Sequence, residues 1–267
     1  RLGMDFASLQ ADCPRLIYVS LSGYGQSGPW ANLPGHDINY LAAAGVLAVS
    51  GEAGGPPALG AGLPVADLCG AMYALSSTLA ALFQRESTGL GQHLDVALAD
   101  CALHWMNPRL GTYRESAAAT LETQREVTLV KPAYGAFACL DGRHLSIAAL
   151  EDHFWQRLCE AIDLAPFDGE AYRSFKQRKP HAQAINQRIA DTVQDQDADA
   201  LFDLLSRHDL PVAPVVEPAR LAALPQFATR DKFEAGDHMP LVRFPVPLAG
   251  MSEGVLGPVP ALGSARI

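Results

Sequence analysis

Residues Leu68–Arg85 form an Ala/Leu-rich stretch with small residues on every side. A helix that is apolar all round has to be covered on all faces. This stretch therefore predicts a buried core helix, and the rest of the chain must supply layers around it. The chain has 267 residues, 49% of them hydrophobic, which is enough for one large domain or two small ones with a real core. Apolar runs such as Leu41–Ser50 and Ala71–Phe83 fall short of the roughly 20 residues a membrane span needs, so no span is expected. A formal charge of −9 argues against nucleic acid as a partner, because a basic footprint is missing. No signal sequence is expected from these residues. Cys13, Cys69, Cys101, Cys139 and Cys159 form no CxxC pair; they read as reduced thiols of a cytoplasmic protein, packed as small core residues.

Punctuation divides the chain. Arg15–Ser22 is a β-branched apolar run and reads as a buried strand. It runs into Gly23-Tyr24-Gly25-Gln26-Ser27-Gly28, which matches G-x-G-x-x-G after a strand. A dinucleotide site also needs a helix opening on the last glycine. Pro29, Pro34 and Gly35 keep this chain in a loop instead, so a glycine-rich loop is preferred over a nicotinamide site. A helix is expected over Asn39–Val49, then a loop over Gly51–Gly62 rich in Gly and Pro. A short strand is expected at His93–Ala97 and a helix over Leu98–Met106. Glu115–Glu126 is polar and turn-poor and reads as a linker. Beyond it, strands at Tyr134–Leu140 and His144–Ala149 flank an Asp141-Gly142 turn. Helices follow at Glu151–Leu164, His181–Gln194 and Ala198–His208, the last capped by Asp197. Pro211–Pro218 is an extended connector, and Leu241–Val246 is strand-like.

No HExxH, Walker A, G-x-S-x-G or metal-spaced Cys/His cluster occurs, so no metal site is expected. Three groups of ionisable residues remain. His36-Asp37 lies between a Gly-rich loop and a helix start, where the Asp37 backbone N–H is a free donor suited to an oxyanion. Asp67 opens the buried helix among Val65, Ala66, Leu68 and Cys69, either as a cap or as a pocket carboxylate. Glu151 precedes an amphipathic helix, where acids in the first turn commonly serve the dipole. Taken singly, each is explained better by a capping or loop role than by chemistry.

Together the motifs resemble the family III CoA-transferases, the CaiB/BaiF family, which includes α-methylacyl-CoA racemase. The resemblance rests on IYVSLSGYGQSGPW (17–30), PGHDINYLAAAGVL (34–47), PVADLCGAMYAL (64–75), RESTGLGQHLDVAL (85–98), AYGAFACLDGRHLSIAALEDHFW (133–155) and LPVAPV (210–215). It implies an α/β fold with an incomplete Rossmann-like large domain in two segments, 1–114 and a return segment 216–267. A linker, 115–126, would lead to a small α+β domain over 127–215. It also implies an interlocked homodimer, with the active site between the large domain of one chain and the small domain of the other.

The resemblance further implies that Asp67 is either the covalent nucleophile of CoA transfer or one base of a racemase. His36, in GHDINY, would be the other base, supported by Glu151. The Asp37 N–H would hold the thioester oxygen, and Gly23, Tyr24, Gly25 and Gly35 would belong to a substrate- or CoA-binding loop. The substrate is an acyl-CoA, with coenzyme A as part of the substrate and no separate cofactor. Intact GHDINY points to racemisation of a 2-methylacyl-CoA. CoA transfer through Asp67 is the alternative. Against the family pattern an N-terminal βαβ stretch is expected to be missing and the C-terminal run after Leu262-Gly263 cut short. That makes a non-catalytic relative a third reading.

Overall fold

The computed structural model describes residues 3–59, 62–233 and 242–246. The first part holds α1 (Phe6–Gln10), β1 (Tyr18–Ser22), α2 (Asp37–Ala43), α3 (Val65–Thr88), β2 (His93–Ala97) and α4 (Leu98–Trp105). β1 and β2 pair in parallel, Tyr18 opposite His93 through Ser22 opposite Ala97. Parallel pairing forces a crossover, and the crossover here carries α2 and α3. The core under it joins Tyr40 and Leu41 of α2 with its C-cap Ala44, Ala66 and Cys69 of α3, Val96 of β2 and Ala99, Cys101 and Ala102 of α4.

The expectation of a fully buried central helix is corrected. α3 buries Ala66, Cys69, Gly70 and Ala81 against α2, α4, β1 and β2. Its other face presents Leu68, Met72, Leu75, Leu79 and Phe83 at 49% to 84% exposure. The reason is the sheet: two strands cover one side of a helix and leave the other open. α3 is also longer than the apolar runs imply. Its 24 residues run from the Pro64 N-cap to the left-handed Gly89 C-cap, and by length and composition alone it could cross a membrane. Two of the cysteines also depart from expectation: Cys13 is exposed and Cys159 half-buried, and all five are free.

The stretch read as a linker is folded. α5 (Asn107–Glu115) and α6 (Leu121–Leu129) fold back on each other, with the Tyr113 and Thr128 hydroxyls hydrogen-bonded at 2.7 Å, and the Thr120 hydroxyl accepts from the Thr123 N–H to start α6. Arg125 of α6 is buried. Its guanidinium donates to the carbonyls of Ala48, Ser50, Glu52 and Gly55 at 2.7–3.0 Å, so α6 grips the Gly/Pro-rich loop that joins α2 to α3.

β3 (Tyr134–Ala138), β4 (His144–Ala148), α7 (Asp152–Ala161), α8 (Phe175–Arg178), α9 (Ala182–Val193), α10 (Ala198–Arg207), β5 (Val212–Pro214) and α11 (Pro225–Thr229) complete the described chain. Of these, β3, β4, α7, α9 and α10 follow expectation within a few residues, whereas α8 and α11 are not expected from the sequence and β5 forms within the stretch read as an extended connector. β3, β4 and β5 form an antiparallel sheet in that order. Trp155, Leu158 and Ile162 join Ile185, Ile189, Leu201 and Leu205 over the sheet, so three amphipathic helices share one apolar layer. Asp197 caps α10 through the N–H groups of Asp199 and Ala200. Of the strand expected at Leu241–Val246, Val242 makes one antiparallel bridge with Phe233. Leu241 and the Leu262-Gly263 pair lie outside the described residues.

Candidate active site

The glycine loop after β1 packs against α2. Tyr40 of α2 lies against Gly23 and Gly35, where an added Cβ would stand 2.5 Å and 2.7 Å from its ring. Its hydroxyl donates to the Gly35 carbonyl at 2.6 Å. Tyr24 stands edge-on to Tyr40 at 5.2 Å and to Trp30 at 5.3 Å. Next to Gly25, the Gln26 N–H donates to the Asp95 carboxylate at 3.0 Å and 3.2 Å, so a carboxylate of the chain itself occupies a position where a dinucleotide loop would offer an amide to phosphate. No helix opens at Gly28; α2 begins at Asp37.

α2 begins where the loop ends. His36 takes the N-cap position in extended backbone, and its N–H donates to the Asn39 side chain at 2.9 Å. Its carbonyl accepts from the N–H groups of Asn39 and Tyr40. The N–H groups of Asp37 and Ile38 have no acceptor among the described residues, as the first turn of a helix leaves them. The His36 imidazole is exposed and stands in the capping-box position over the Asn39 N–H.

α3 meets α2 at this point. Pro64 at its N-cap has no side chain to cap with. The Asp37 carboxylate supplies the cap from a distance, accepting from the Ala66 N–H at 2.6 Å and the Asp67 N–H at 3.2 Å. Sequence reasoning assigned Asp37 a backbone role and missed this one. The bond ties the His36–Asp37 turn to Asp67, so the two helix starts adjoin. The Asp67 carboxylate is exposed and makes no hydrogen bond or ion pair among the described residues. Its charge is felt beneath: burial first, then Asp67, raises the Tyr40 hydroxyl pKa, and burial chiefly raises that of the Cys69 thiol.

Glu151 is the exposed N-cap residue of α7, and its side chain makes no capping bond. The residues on both sides of it are held by Arg178, which is fully buried. That guanidinium donates to the Leu150 carbonyl at 2.7 Å and the Asp152 carboxylate at 3.2 Å, and lies 5.2 Å above the Trp155 ring. Burial pushes the Arg178 pKa down while Asp152 acts against that shift. Within the chain no contact joins Glu151 to His36 or Asp67. Among the described residues no group of three or more His, Cys, Asp and Glu is placed to hold a metal.

The fold and site define a mixed α/β chain that presents an imidazole and a carboxylate from two linked helix starts. Residues 1–266 match the family model for CoA-transferase family III, and the chain belongs to that family. It is 28% identical to acetyl-CoA:oxalate CoA-transferase of Acetobacter aceti, over 95% of this chain and 65% of the relative. It is 29% identical to succinate–glutarate CoA-transferase of Agrobacterium fabrum, over 98% and 66%. Human alpha-methylacyl-CoA racemase is 33% identical over 58% of this chain and 41% of that protein. The chain thus spans just under two thirds of the length of the two transferases. Among solved structures, a CaiB/BaiF family protein from Brucella suis matches with a TM-score of 0.75 and 26% identity, over 93% of this chain and 65% of that one. A Mycobacterium tuberculosis protein matches at 0.77 and 23%, over 95% and 66%, a likeness of fold.

Proposed function

We propose that the chain carries acyl-CoA chemistry at the α2–α3 junction, and that this chemistry is 1,1-proton transfer on a 2-methylacyl-CoA. The observation that carries the reading is the Asp37 carboxylate bridging to the Ala66 and Asp67 N–H groups, which sets His36 and Asp67 side by side. An α-proton of a thioester is weakly acidic, so its removal needs a base and donors that hold the enolate oxygen. One of His36 and Asp67 takes the proton from one face, and the conjugate acid of the other returns a proton to the opposite face. The Asp37 N–H holds the oxygen meanwhile. Glu151 reaches His36 from a second copy in an interlocked homodimer, which accounts for its having no partner within one chain. The free cysteines suit a reducing, cytoplasmic setting.

A second reading has its own support, since the transferases match over nearly the whole chain and the racemase over little more than half. In it the Asp67 carboxylate attacks the thioester carbonyl and expels CoA thiolate, leaving a mixed anhydride. The thiolate then attacks the Asp67 acyl carbon, releases the first acid and leaves an aspartyl-CoA thioester. A second carboxylate reverses these steps and departs with CoA. Incubation with 2-methylacyl-CoA in D2O separates the two. Deuterium at the α-carbon without added acid supports proton transfer, and His36→Ala then abolishes exchange for one enantiomer preferentially. No deuterium, with CoA passing to an added carboxylate and hydroxylamine trapping Asp67, establishes transfer instead. Neither product, with no heat on titrating acetyl-CoA, identifies a non-catalytic relative.

A further inference from the structure

We propose that the cleft between the glycine-rich loop and α4 is a binding site for a small guanidinium compound of the size of arginine. This ligand is separate from the acyl-CoA, and the proposal does not rest on the acyl-CoA reading.

The cleft has a volume of about 220 Å³ and is lined by Tyr24, Ser27, Pro29 and Trp30 of the loop and by Asp100 and Leu103 of α4. It meets α2 at Ala43, at the opposite end of that helix from His36. Its volume lies below the roughly 300–1,000 Å³ of pockets that enclose drug-sized ligands, so it suits a ligand the size of one amino acid.

The polar groups of the cleft set the charge of the ligand. The Asp100 carboxylate is exposed and makes no hydrogen bond or ion pair among the described residues. It stands in the first turn of α4, where the helix dipole favours its ionised form. The Ser27 hydroxyl also has no hydrogen bond among the described residues. Among the described residues that line the cleft there is no Lys, Arg or His. A carboxylate with no cation beside it repels the phosphates of CoA and attracts a cation, and the charge of −9 on the whole chain adds to that attraction.

The apolar groups narrow the choice of cation. Trp30 is 51% exposed, and its ring stands edge-on to that of Tyr24, with centroids 5.3 Å apart. Aromatic faces attract cations within about 6 Å of the ring centre. A quaternary ammonium would gain that attraction but has no N–H to give Asp100. A guanidinium gains both: its flat face stacks on an aromatic ring, and its edge forks to a carboxylate through two parallel hydrogen bonds.

The test is calorimetry on the full chain with three probes: Nα-acetylarginine methylamide, its neutral citrulline counterpart and tetramethylammonium. Charge-assisted hydrogen bonds predict that the arginine probe binds at least about tenfold more tightly than the citrulline probe, and more tightly than tetramethylammonium. Asp100→Asn brings the arginine-to-citrulline ratio to about one. Trp30→Leu weakens the arginine probe about two- to fivefold. Both side chains are exposed, and circular dichroism confirms that each variant is folded; the wild-type ratio needs no variant. Equal affinity for arginine and citrulline in the wild type, or a preference that survives in folded D100N, overturns the proposal. Tetramethylammonium binding as tightly as the arginine probe overturns the choice of a guanidinium, and no binding of any probe overturns the site. The deuterium experiment tests the acyl-CoA reading separately, so either can fail alone.

Discussion

Asp37 shows how one side chain joins two elements. Its carboxylate does for α3 what Pro64 cannot, and the same residue offers its own N–H at the start of α2. Removing a helix cap costs about 0.5–2 kcal/mol. Asp37→Ala is expected to lower unfolding stability by about 1–2 kcal/mol, read from urea titration. Asp37→Asn keeps one acceptor oxygen and recovers most of that loss. If D37A and the wild type unfold at the same urea concentration, the bridge does not hold the site together. His36, Asp37 and Asp67 were legible in the sequence as candidates, because acids and histidines at helix starts follow from Gly, Pro and apolar punctuation. The link between them was not, since 29 residues separate Asp37 from Ala66 and no local rule connects them. Arg125 and Arg178 were hidden for a related reason. In ETQRE and KQRKP they look like ordinary surface charge, and only the folded chain shows each guanidinium buried against backbone carbonyls.

Elements with strong periodicity were legible nearly residue for residue. β2 runs His93–Ala97 as expected, and α9 and α10 end within a residue of expectation. Segment 115–126 was not, because a polar helix such as α6 gains its place from one buried arginine rather than from an apolar stripe. That arginine can be tested. Arg125→Ala leaves four carbonyls without their donor and should cost about 3 kcal/mol. Arg125→Lys, a point charge in place of a fork, should recover less than half of that. Limited proteolysis of the 48–55 segment should rise in both, and unchanged cleavage would mean the loop holds its own shape.

The hairpin makes a separate prediction at the same scale. Arg143 bonds Asp141 at 2.8 Å and Asp199 of α10 at 2.9 Å. The Arg143 hydrogen bond holds the Asp141 pKa down, to about 2, and lowers that of Asp199. A carboxylate depressed in the folded state contributes stability above its ordinary value near 3.8 and loses it as pH falls toward about 2. Arg143→Met should therefore lower the melting temperature at pH 6 slightly, with the gap to wild type closing by pH 2. Both carboxylates are exposed to solvent, so added salt should shrink the effect. A gap that persists at pH 2 would point to lost packing rather than lost charge.

At the scale of the whole molecule, the open face of α3 decides behaviour in solution. Leu68, Met72, Leu75, Leu79 and Phe83 recur every three or four residues along one side of a 24-residue helix, about 23 Å of apolar ridge. From the sequence such a helix is expected to be covered on all sides, and one side of it is open. Sequence reasoning could not see that the chain's own layers cover only one side, because that depends on how many strands the sheet holds. A ridge of this length exceeds the scattered apolar residues that a monomer surface tolerates. The 28.4 kDa chain is therefore expected to sediment as a larger species and to bind a hydrophobic dye as that species dissociates on dilution. Replacing Leu79 and Phe83 together with Glu should shift the distribution toward the monomer and abolish dye binding. Both side chains are exposed in the folded chain, so the double variant should keep the wild-type melting temperature measured at high dilution, where association contributes least. A wild-type monomer that binds no dye would show that the ridge is covered in solution. A double variant that stays associated would place the contact elsewhere on the molecule.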